Sequence, residues 1–217
     1  MSIAFSVSQQ HYLFGVQTFA HTVLAAGGDS YRYLLRDTTT QGVFDDVSSG
    51  VSEVGLIMRT TTSEAVLDAA IAEAGLEFTE LAKSAPRVAL PVSHPLSNAS
   101  RLSLDDLEDW PYIRFDQGAD VPEEFFEEAL SDVARDKTII CTDRATLSEL
   151  ATALNGYTVT SGILVGIADG TSLTTVELDT DVKLHLGIVT KQGACLSPLG
   201  ERFVSGLKKS LERYARE

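Results

Sequence analysis

The sequence predicts a mixed α/β fold in which strands and helices alternate along the chain. Short apolar and β-branched runs are separated by stretches whose apolar residues recur at helical spacing. Glycine or Asn-Gly follows most of the helical stretches, which is typical of helix ends. Three strand and helix pairs in succession favour parallel strands with helices on both faces of a sheet. The chain of 217 residues is long enough for one large domain or two small ones.

The first part of the chain has the order strand, helix, strand, helix, strand, helix. Apolar residues from Leu13 to Leu24 recur at helical spacing until Gly27, and a shorter helix with Val43 and Phe44 inward is closed by Gly50. The predicted strands cover residues 3–7, 31–36 and 54–58, and a third helix covers residues 63–74.

The remaining elements follow the same logic. Pro122 with Glu123 and Glu124 suits a helix first turn, and apolar residues up to Val133 form a stripe, so we predict a helix over residues 122–134. A short helix after Ser103 and a final helix from Ser197-Pro198 have serine at the cap position. Further strands are predicted over residues 87–92, 112–115, 137–141, 157–160, 173–178 and 182–190, with a helix over 144–154 capped by Thr142 or Asp143.

Composition limits the classes of function. The formal net charge of -14 would repel a phosphate backbone, so this chain alone is not expected to bind nucleic acid. No long apolar span and no apolar leader is present, which predicts a cytoplasmic protein without a membrane segment. Cys141 and Cys195 are too far apart for a chelating motif; a structural role is the expectation and a peroxide-sensing pair the alternative.

Catalytic signatures are lacking. The sequence has no phosphate-binding glycine loop followed by lysine, no nucleophile elbow and no zinc-protease motif, and we expect no cofactor and no metal. Its four histidines are scattered, which favours surface or core packing roles. An enzyme is therefore not the first interpretation.

Polar residues lie where predicted strands lead into helices, the edge at which open α/β sheets bind ligands. A helix start carries unpaired amides and a partial positive charge, so hydroxyls there could hold an anion, although Ser and Thr also serve simply as caps. The guanidinium group of Arg144 would suit a carboxylate. The candidates from this reasoning are Ser6, Ser8, Gln9, Thr38, Thr39, Thr40 and Arg144.

One segment carries a family resemblance. Residues 87–115 run as an apolar strand, His94-Pro95, a helix start at Ser103 and a strand after Trp110-Pro111. This order resembles the effector-binding domain of LysR-type transcriptional regulators. Residues 50–57, with a glycine, an acid and a buried strand, and the final helix that opens at Leu196-Ser197-Pro198 are similar to that family too.

The resemblance implies a periplasmic-binding-protein-like fold of type 2, with two Rossmann-like lobes joined by two crossover strands and a ligand cleft between them. Lobe I would comprise residues 1–83 and 186–217, lobe II residues 84–185, and the family's N-terminal winged helix-turn-helix would be absent from this chain. The resemblance strengthens the expectation that Ser8 and either Thr39 or Thr40 line the ligand cleft. It adds Asp116, Gln117, Gly118, Thr160 and Ser161 as cleft residues from the second lobe. With Asp116 at the cleft an amine would also be suited, so the ligand could be a carboxylate or a zwitterion.

The sequence thus predicts a domain that senses a small-molecule effector, with DNA contacted only through the missing N-terminal domain. The resemblance also implies a homodimer or homotetramer, in which residues 12–26 pair with residues 122–134 of another copy. Two alternatives stay open. One is a stand-alone solute-binding protein, which would need a leader, and the other is an enzyme on the same architecture, which would need charged catalytic groups in the cleft.

Overall fold

The computed structural model describes residues 4–163 and 173–212. The helices are α1 (Leu13–Ala26), α2 (Thr40–Ser49), α3 (Glu64–Glu73), α4 (Arg144–Leu154) and α5 (Pro198–Leu211). The strands are β1 (Phe5–Gln9), β2 (Tyr33–Asp37), β3 (Val54–Thr60), β4 (Leu76–Ser84), β5 (Arg87–Pro91), β6 (Arg101–Leu102), β7 (Tyr112–Phe115), β8 (Thr138–Cys141), β9 (Thr158–Thr160), β10 (Leu173–Leu178) and β11 (Leu184–Lys191).

The described residues form three sheets. A five-stranded sheet has the order β2-β1-β3-β11-β4, a four-stranded sheet the order β6-β10-β5-β9, and β7 pairs with β8. We call the five-stranded sheet with α1, α2, α3 and α5 the first unit, and the other two sheets with α4 the second unit. In the first unit β1 is parallel to β2 and β3, as predicted, whereas β11 runs antiparallel to β3 and β4.

Local sequence explains where the helices begin and end. Three helices begin with an N-cap side chain that accepts a hydrogen bond from the backbone amide three residues further along. These caps are Thr39 for α2, Asp143 for α4 and Ser197 for α5. Gly50 and Asn155 end α2 and α4 in the left-handed conformation. These boundaries confirm the predicted helix starts and stops, and they place the starts of α2 and α4 at one end of their sheets.

The core of the first unit lies between the sheet and its helices. Phe5 stacks on Phe19 with 5.3 Å between ring centroids and also contacts Phe203 of α5, while Phe14 is almost fully buried. Complete burial of such a side chain stabilises the fold by about 2 kcal/mol. This packing gives the loops at the sheet edge a rigid support.

The predicted helix over residues 122–134 is wrong. Only Glu123–Phe125 forms a single 3₁₀ turn, and Leu130 adopts a positive φ of 60°, which a continuous helix does not allow. Glu127 and Glu128 are buried instead of facing solvent, because polar partners elsewhere in the chain hold their carboxylates. The helix that the predicted dimer contact requires is therefore not formed in this segment. The 3₁₀ turn Asp105–Leu107 takes the place of the short helix predicted after Ser103.

Candidate functional site

The loop after β1 lies against the first turn of α2. Gln10 is fully buried, and its side-chain amide donates to the hydroxyl of Thr40. The carbonyl oxygen of the same side chain accepts from the Tyr12 hydroxyl at 2.7 Å and from the Met58 amide at 2.8 Å. Every polar atom of this buried side chain is thus engaged with the protein, which fixes the loop at the carboxyl end of β1.

The first turn of α2 reaches across to the second unit. Thr39 is the N-cap and accepts from the Gly42 amide at 3.0 Å, which is the plain capping role. The Thr40 amide, one of the unpaired donors of a helix start, donates to Gln117 Oε1 at 3.0 Å, and the Thr40 hydroxyl donates to the carbonyl of Phe125 at 2.6 Å. Gln117 and Phe125 follow β7, so these two bonds join the units directly.

A histidine and a glutamate make a second connection. His11 Nδ1 lies 2.6 Å from Glu127 Oε1, and the His11 amide donates to Glu127 Oε2 at 2.9 Å. The imidazole stacks on Phe115 with 3.8 Å between ring centroids. Burial alone would lower the pKa of His11, but the hydrogen bond and charge of Glu127, together with Asp37, raise it above its ordinary value. Gln117 also donates to Glu127 at 3.4 Å.

An ion pair lies beside these contacts. Arg144, at the start of α4, places a guanidinium nitrogen 2.9 Å from Asp37 Oδ2 at the end of β2. Gln9 donates to the other oxygen of Asp37 at 2.8 Å. The side chains of Arg144 and Asp37 are 27% and 28% exposed, so water screens this pair more than the contact between His11 and Glu127.

We call this set of contacts the interunit network. Its members come from loops at the carboxyl ends of β1, β2, β7 and β8, which is where the sequence predicted a ligand cleft. Of the predicted site residues, it contains Gln9, Thr40, Gln117 and Arg144, with Thr39 as the cap beside them.

Other predicted site residues lie outside this network. Ser8 is fully buried under α2, where its hydroxyl donates to Asp46 at 2.6 Å and lies 2.7 Å from the Ser52 hydroxyl. Because β1 alternates its side chains between two faces, Ser6 lies on the same side as Ser8. Its backbone carbonyl accepts from the Glu53 amide. We therefore leave both serines out of the proposed site.

The remaining candidates occupy the margins. Asp116 is exposed and accepts from the Gly118 amide at 2.9 Å, which forms a local turn. Thr38 donates its backbone amide to Gln9. Thr160 pairs with Arg87 in the four-stranded sheet, and the carbonyl of Ser161 accepts from Ser84 Oγ at 2.9 Å, near the connection from β4 to β5.

Sequence reasoning missed the segment that fills this region. Residues 123–132 lie next to the end of β3, and a cavity of about 200 Å³ separates this segment from the turn that follows β3. The first unit contributes the turn with Thr60, Thr62 and Ser63 to the lining. The Thr60 hydroxyl lies 2.8 Å from the Thr62 hydroxyl and donates to the Ser63 hydroxyl at 3.0 Å. The signal that could have located it was a pair of adjacent acids at positions 127 and 128 inside an otherwise apolar stripe.

Glu128 is the unusual group of this cavity. It is 3% exposed and lines the cavity, and its Oε1 accepts from the Phe115 amide at 2.7 Å, whereas Oε2 is buried with no hydrogen-bond partner in the described structure. Burial, and then the charge of Glu127, raise the pKa of Glu128 well above its ordinary value. The carboxyl group is therefore predisposed to hold a proton when the cavity is empty.

Among the described residues, the other titratable groups do not form a second centre. His94, in the turn after β5, is 2% exposed, packs edge-on against Trp110 and accepts from the Leu96 amide, so it has a structural role. Burial lowers its pKa. Cys141 is buried, Cys195 is exposed, and both are free thiols. Among the described residues no group of three or more His, Cys, Asp or Glu is arranged to hold a metal ion, and no described helix is long and apolar enough to cross a membrane.

Comparison with solved structures gives the same architecture in several regulators. HinK, a LysR family transcriptional regulator from Pseudomonas aeruginosa, aligns with a TM-score of 0.64 at 18% identity over 97% of this chain and 70% of its own. The effector-binding domain of QuiR in complex with shikimate aligns at 0.63 and 13% identity, over 98% and 99%. The BenM effector-binding domain with benzoate aligns at 0.64 and 14% identity, over 98% and 95%. No curated protein sequence matches the chain.

A two-unit α/β architecture with polar loops meeting between the units defines a ligand-binding domain of the periplasmic-binding-protein-like type 2 class, which confirms the predicted fold class. The LysR substrate binding domain model matches residues 32–212. The chain belongs to this family, and it is an effector-sensing domain of the LysR-type regulators.

Proposed function

We propose that this domain senses its effector at the boundary between the two units, and that the units are lobes which move relative to one another. The lobes would be residues 1–83 with 186–217, and residues 84–185. The observation that carries this proposal is the direct contact of strand-end loops from both units, Thr40 with Gln117 and His11 with Glu127. A ligand entering there must exchange its own hydrogen bonds for these.

The proposed mechanism is a shift of population. The interunit network stabilises one arrangement of the lobes without ligand, because the buried Thr40 is hydrogen-bonded both to Gln10 of its own unit and to Gln117 and the Phe125 carbonyl across the boundary. An effector that binds a second arrangement more tightly shifts the equilibrium toward it by its differential affinity. QuiR with shikimate and BenM with benzoate, which share the fold, support a small organic effector.

We propose a sensor in preference to an enzyme because the charged groups at the boundary are paired with one another, as in Asp37 with Arg144 and Glu127 with His11. None of these pairs sits beside an activated nucleophile in the described region. We also place the protein in the cytoplasm, where a transcription regulator meets DNA.

We further propose that the domain self-associates through α1. Several of its outward residues are apolar and exposed, and Leu24 is 78% exposed. Because the predicted partner helix is not formed, the opposing surface differs from the one the sequence suggested. Sedimentation equilibrium is expected to show a dimer or tetramer that Leu24→Glu dissociates; a monomer at high concentration would contradict this contact.

Small-angle X-ray scattering tests the lobe motion without knowledge of the effector. The double variant Thr40→Val with Glu127→Gln removes bonds from both connections between the units, so its radius of gyration is expected to exceed that of the wild type. Thr138→Val, an exposed position on β8, is the matched control. A double variant that stays folded by circular dichroism with an unchanged radius of gyration would show that the network does not restrain the lobes.

A further inference from the structure

The cavity beside the interunit network has room for a small polar molecule. Its volume of about 200 Å³ far exceeds what one water needs. One wall is the hydroxyl turn Thr60 to Ser63 at the start of α3, and the opposite wall is the segment 123–132. Phe126 contributes an aromatic wall, and Ala129 and Leu130 add apolar surface. Most of the lining is nevertheless polar, since eight of its eleven residues carry a hydroxyl or a carboxyl group, so a ligand would be held chiefly by hydrogen bonds and charge.

The charge of this lining selects against anions. Four acidic residues line the cavity, and the described lining contains no Lys, Arg or His to balance their charge. The nearby arginines are engaged elsewhere. Arg59 pairs with Asp68 and lies over the Phe78 ring, while Arg114 lies 4.5 Å above the Phe126 ring and donates to the Phe115 carbonyl. The acidic lining consists of Glu123, Glu124, Glu128 and Asp132.

Glu128 supplies an observation independent of that acidic character. A buried oxygen without a hydrogen-bond partner is less stable than a hydrogen-bonded one. Its Oε2 is such an oxygen, on a side chain that lines the cavity and whose other oxygen is fixed by the Phe115 amide. In the ionised form of Glu128 this oxygen lacks a hydrogen-bond donor, which a charged ligand that displaces the proton would bring.

We propose that this cavity binds an organic amine, with the ammonium group hydrogen-bonded to Glu128 and the rest of the molecule against the hydroxyl turn and Phe126. The inference rests on the proposed function, since it names the chemical class of the effector at the boundary between the units. It differs from the carboxylate or zwitterion expected from sequence, because Arg144 is already paired with Asp37 and does not line the cavity.

Binding is coupled to a proton. The ammonium charge favours ionised Glu128, so the carboxyl group releases its proton as the amine enters. The titratable and charged groups that act on or respond to Glu128 are Glu127, Arg114, Tyr12, Tyr112 and Cys141, and the cavity lining adds Glu123, Glu124 and Asp132. Calorimetric enthalpies measured in phosphate and in HEPES are therefore expected to differ, because the two buffers take up the released proton with different heats.

Isothermal titration calorimetry of the purified chain tests the ligand class. Ethanolamine and putrescine are the amine probes, and glycolate and succinate are matched acids without nitrogen. We expect saturable binding of at least one amine and none of the acids. Glu128→Gln is expected to weaken that binding roughly tenfold or more, the loss that follows from removing a hydrogen bond to a charged group. Glu149→Gln, an exposed position on α4, should leave it unchanged.

Glu124→Gln is a second variant that does not alter a buried group, and the lost charge is expected to weaken amine binding about threefold. Binding of the acids alone, binding that both glutamine variants leave unchanged, or no amine binding would each overturn the amine assignment. These outcomes are separate from the scattering test, because the lobes can open in the double variant whichever class of ligand the cavity takes.

Discussion

The interunit network and the adjacent cavity lie at the same edge of the five-stranded sheet, but their buried polar groups differ in how they are hydrogen-bonded. In the network, Thr40 and Gln10 find partners within the protein for their side-chain polar groups. In the cavity, Glu128 Oε2 is buried and unpaired. Among the described residues, Gln9 Oε1 and one guanidinium nitrogen of Arg144 also lack partners in the network, but the bonds that cross between the units are made there. The first region therefore holds the two units in one arrangement, whereas at Glu128 a carboxyl oxygen beside a cavity is left for a molecule from outside.

The largest effect is expected at the centre of the network. Thr40→Val removes the hydroxyl and leaves the Phe125 carbonyl and the Gln10 amide without it in a fully buried position. The free energy of unfolding should fall by about 2 kcal/mol, the cost of stranding buried polar groups. Urea denaturation followed by circular dichroism measures it. Thr138→Val should shift the midpoint little, and equal midpoints for the two variants would contradict a satisfied, stabilising network.

Glu127→Gln is expected to show a pH-dependent loss. The folded-state pKa of His11 is raised, so the stability it contributes is complete below its ordinary value of 6.5 and is lost as pH rises through the folded pKa. The variant should lower the free energy of unfolding by about 1.5 kcal/mol at pH 6, which is the size of a charge-assisted hydrogen bond, and by less at pH 9. Unfolding curves across that range provide the test, with Glu149→Gln, at an exposed position on α4, as the matched control. A cost that does not change with pH would remove the protonated histidine from the network.

Glu128→Gln sharpens the comparison from the cavity side. The raised pKa of Glu128 means that its neutral form suits the folded state, so stability is present below the ordinary value of 4.5 and declines as pH rises through the folded pKa. The glutamine variant avoids that charge and should be more stable than the wild type at pH 8, by about 1 kcal/mol. The gap should close near pH 4.5. A variant less stable than the wild type at pH 8 would mean that the carboxylate has partners in the fold.

The smallest effect is expected at the partly exposed ion pair. Arg144→Gln removes the contact with Asp37 and should lower the free energy of unfolding by about 0.5 kcal/mol, as is common for solvent-screened pairs. The difference from the wild type should shrink further in concentrated salt, because ions screen the pair. Thermal unfolding at low and high salt measures this. An effect as large as that of Thr40→Val would place the ion pair among the main restraints on the lobes.

Much of the fold was predictable because its signals are local. Helix starts are marked by an N-cap side chain that accepts from the backbone amide three residues later, as at Thr39, Asp143 and Ser197. Helix ends are marked by Gly50 and Asn155. The strand at residues 112–115 was predicted at its observed bounds, whereas β1 lies two residues later than expected. Element boundaries depend on pairing between strands, which a single stretch of sequence does not encode.

The site was only partly predictable. The threonines before α2 indicated the sheet edge at which the interunit network lies, and the resemblance added Gln117, but the sequence offered no sign that the Thr40 amide would donate to Gln117. Ser8 had the same composition signal as Thr40 and is buried beneath α2 instead. His11 was interpreted as a packing or surface residue, because its partner Glu127 lies 116 positions away in the chain.

The sequence by itself determined the α/β class, the family and the loops that carry polar groups, since propensities, caps and turns act over a few residues. The tertiary structure decided the conformation of residues 122–134, whose apolar stripe and acidic first turn favour a helix locally. Glu127 is held inside by its contact with His11, and Glu128 by its hydrogen bond from the Phe115 amide. The stabilisation from these contacts exceeds the small free energy that a short helix gains from its own backbone. Burial then determines which carboxyl oxygen stays unpaired, because only the complete fold excludes water from it.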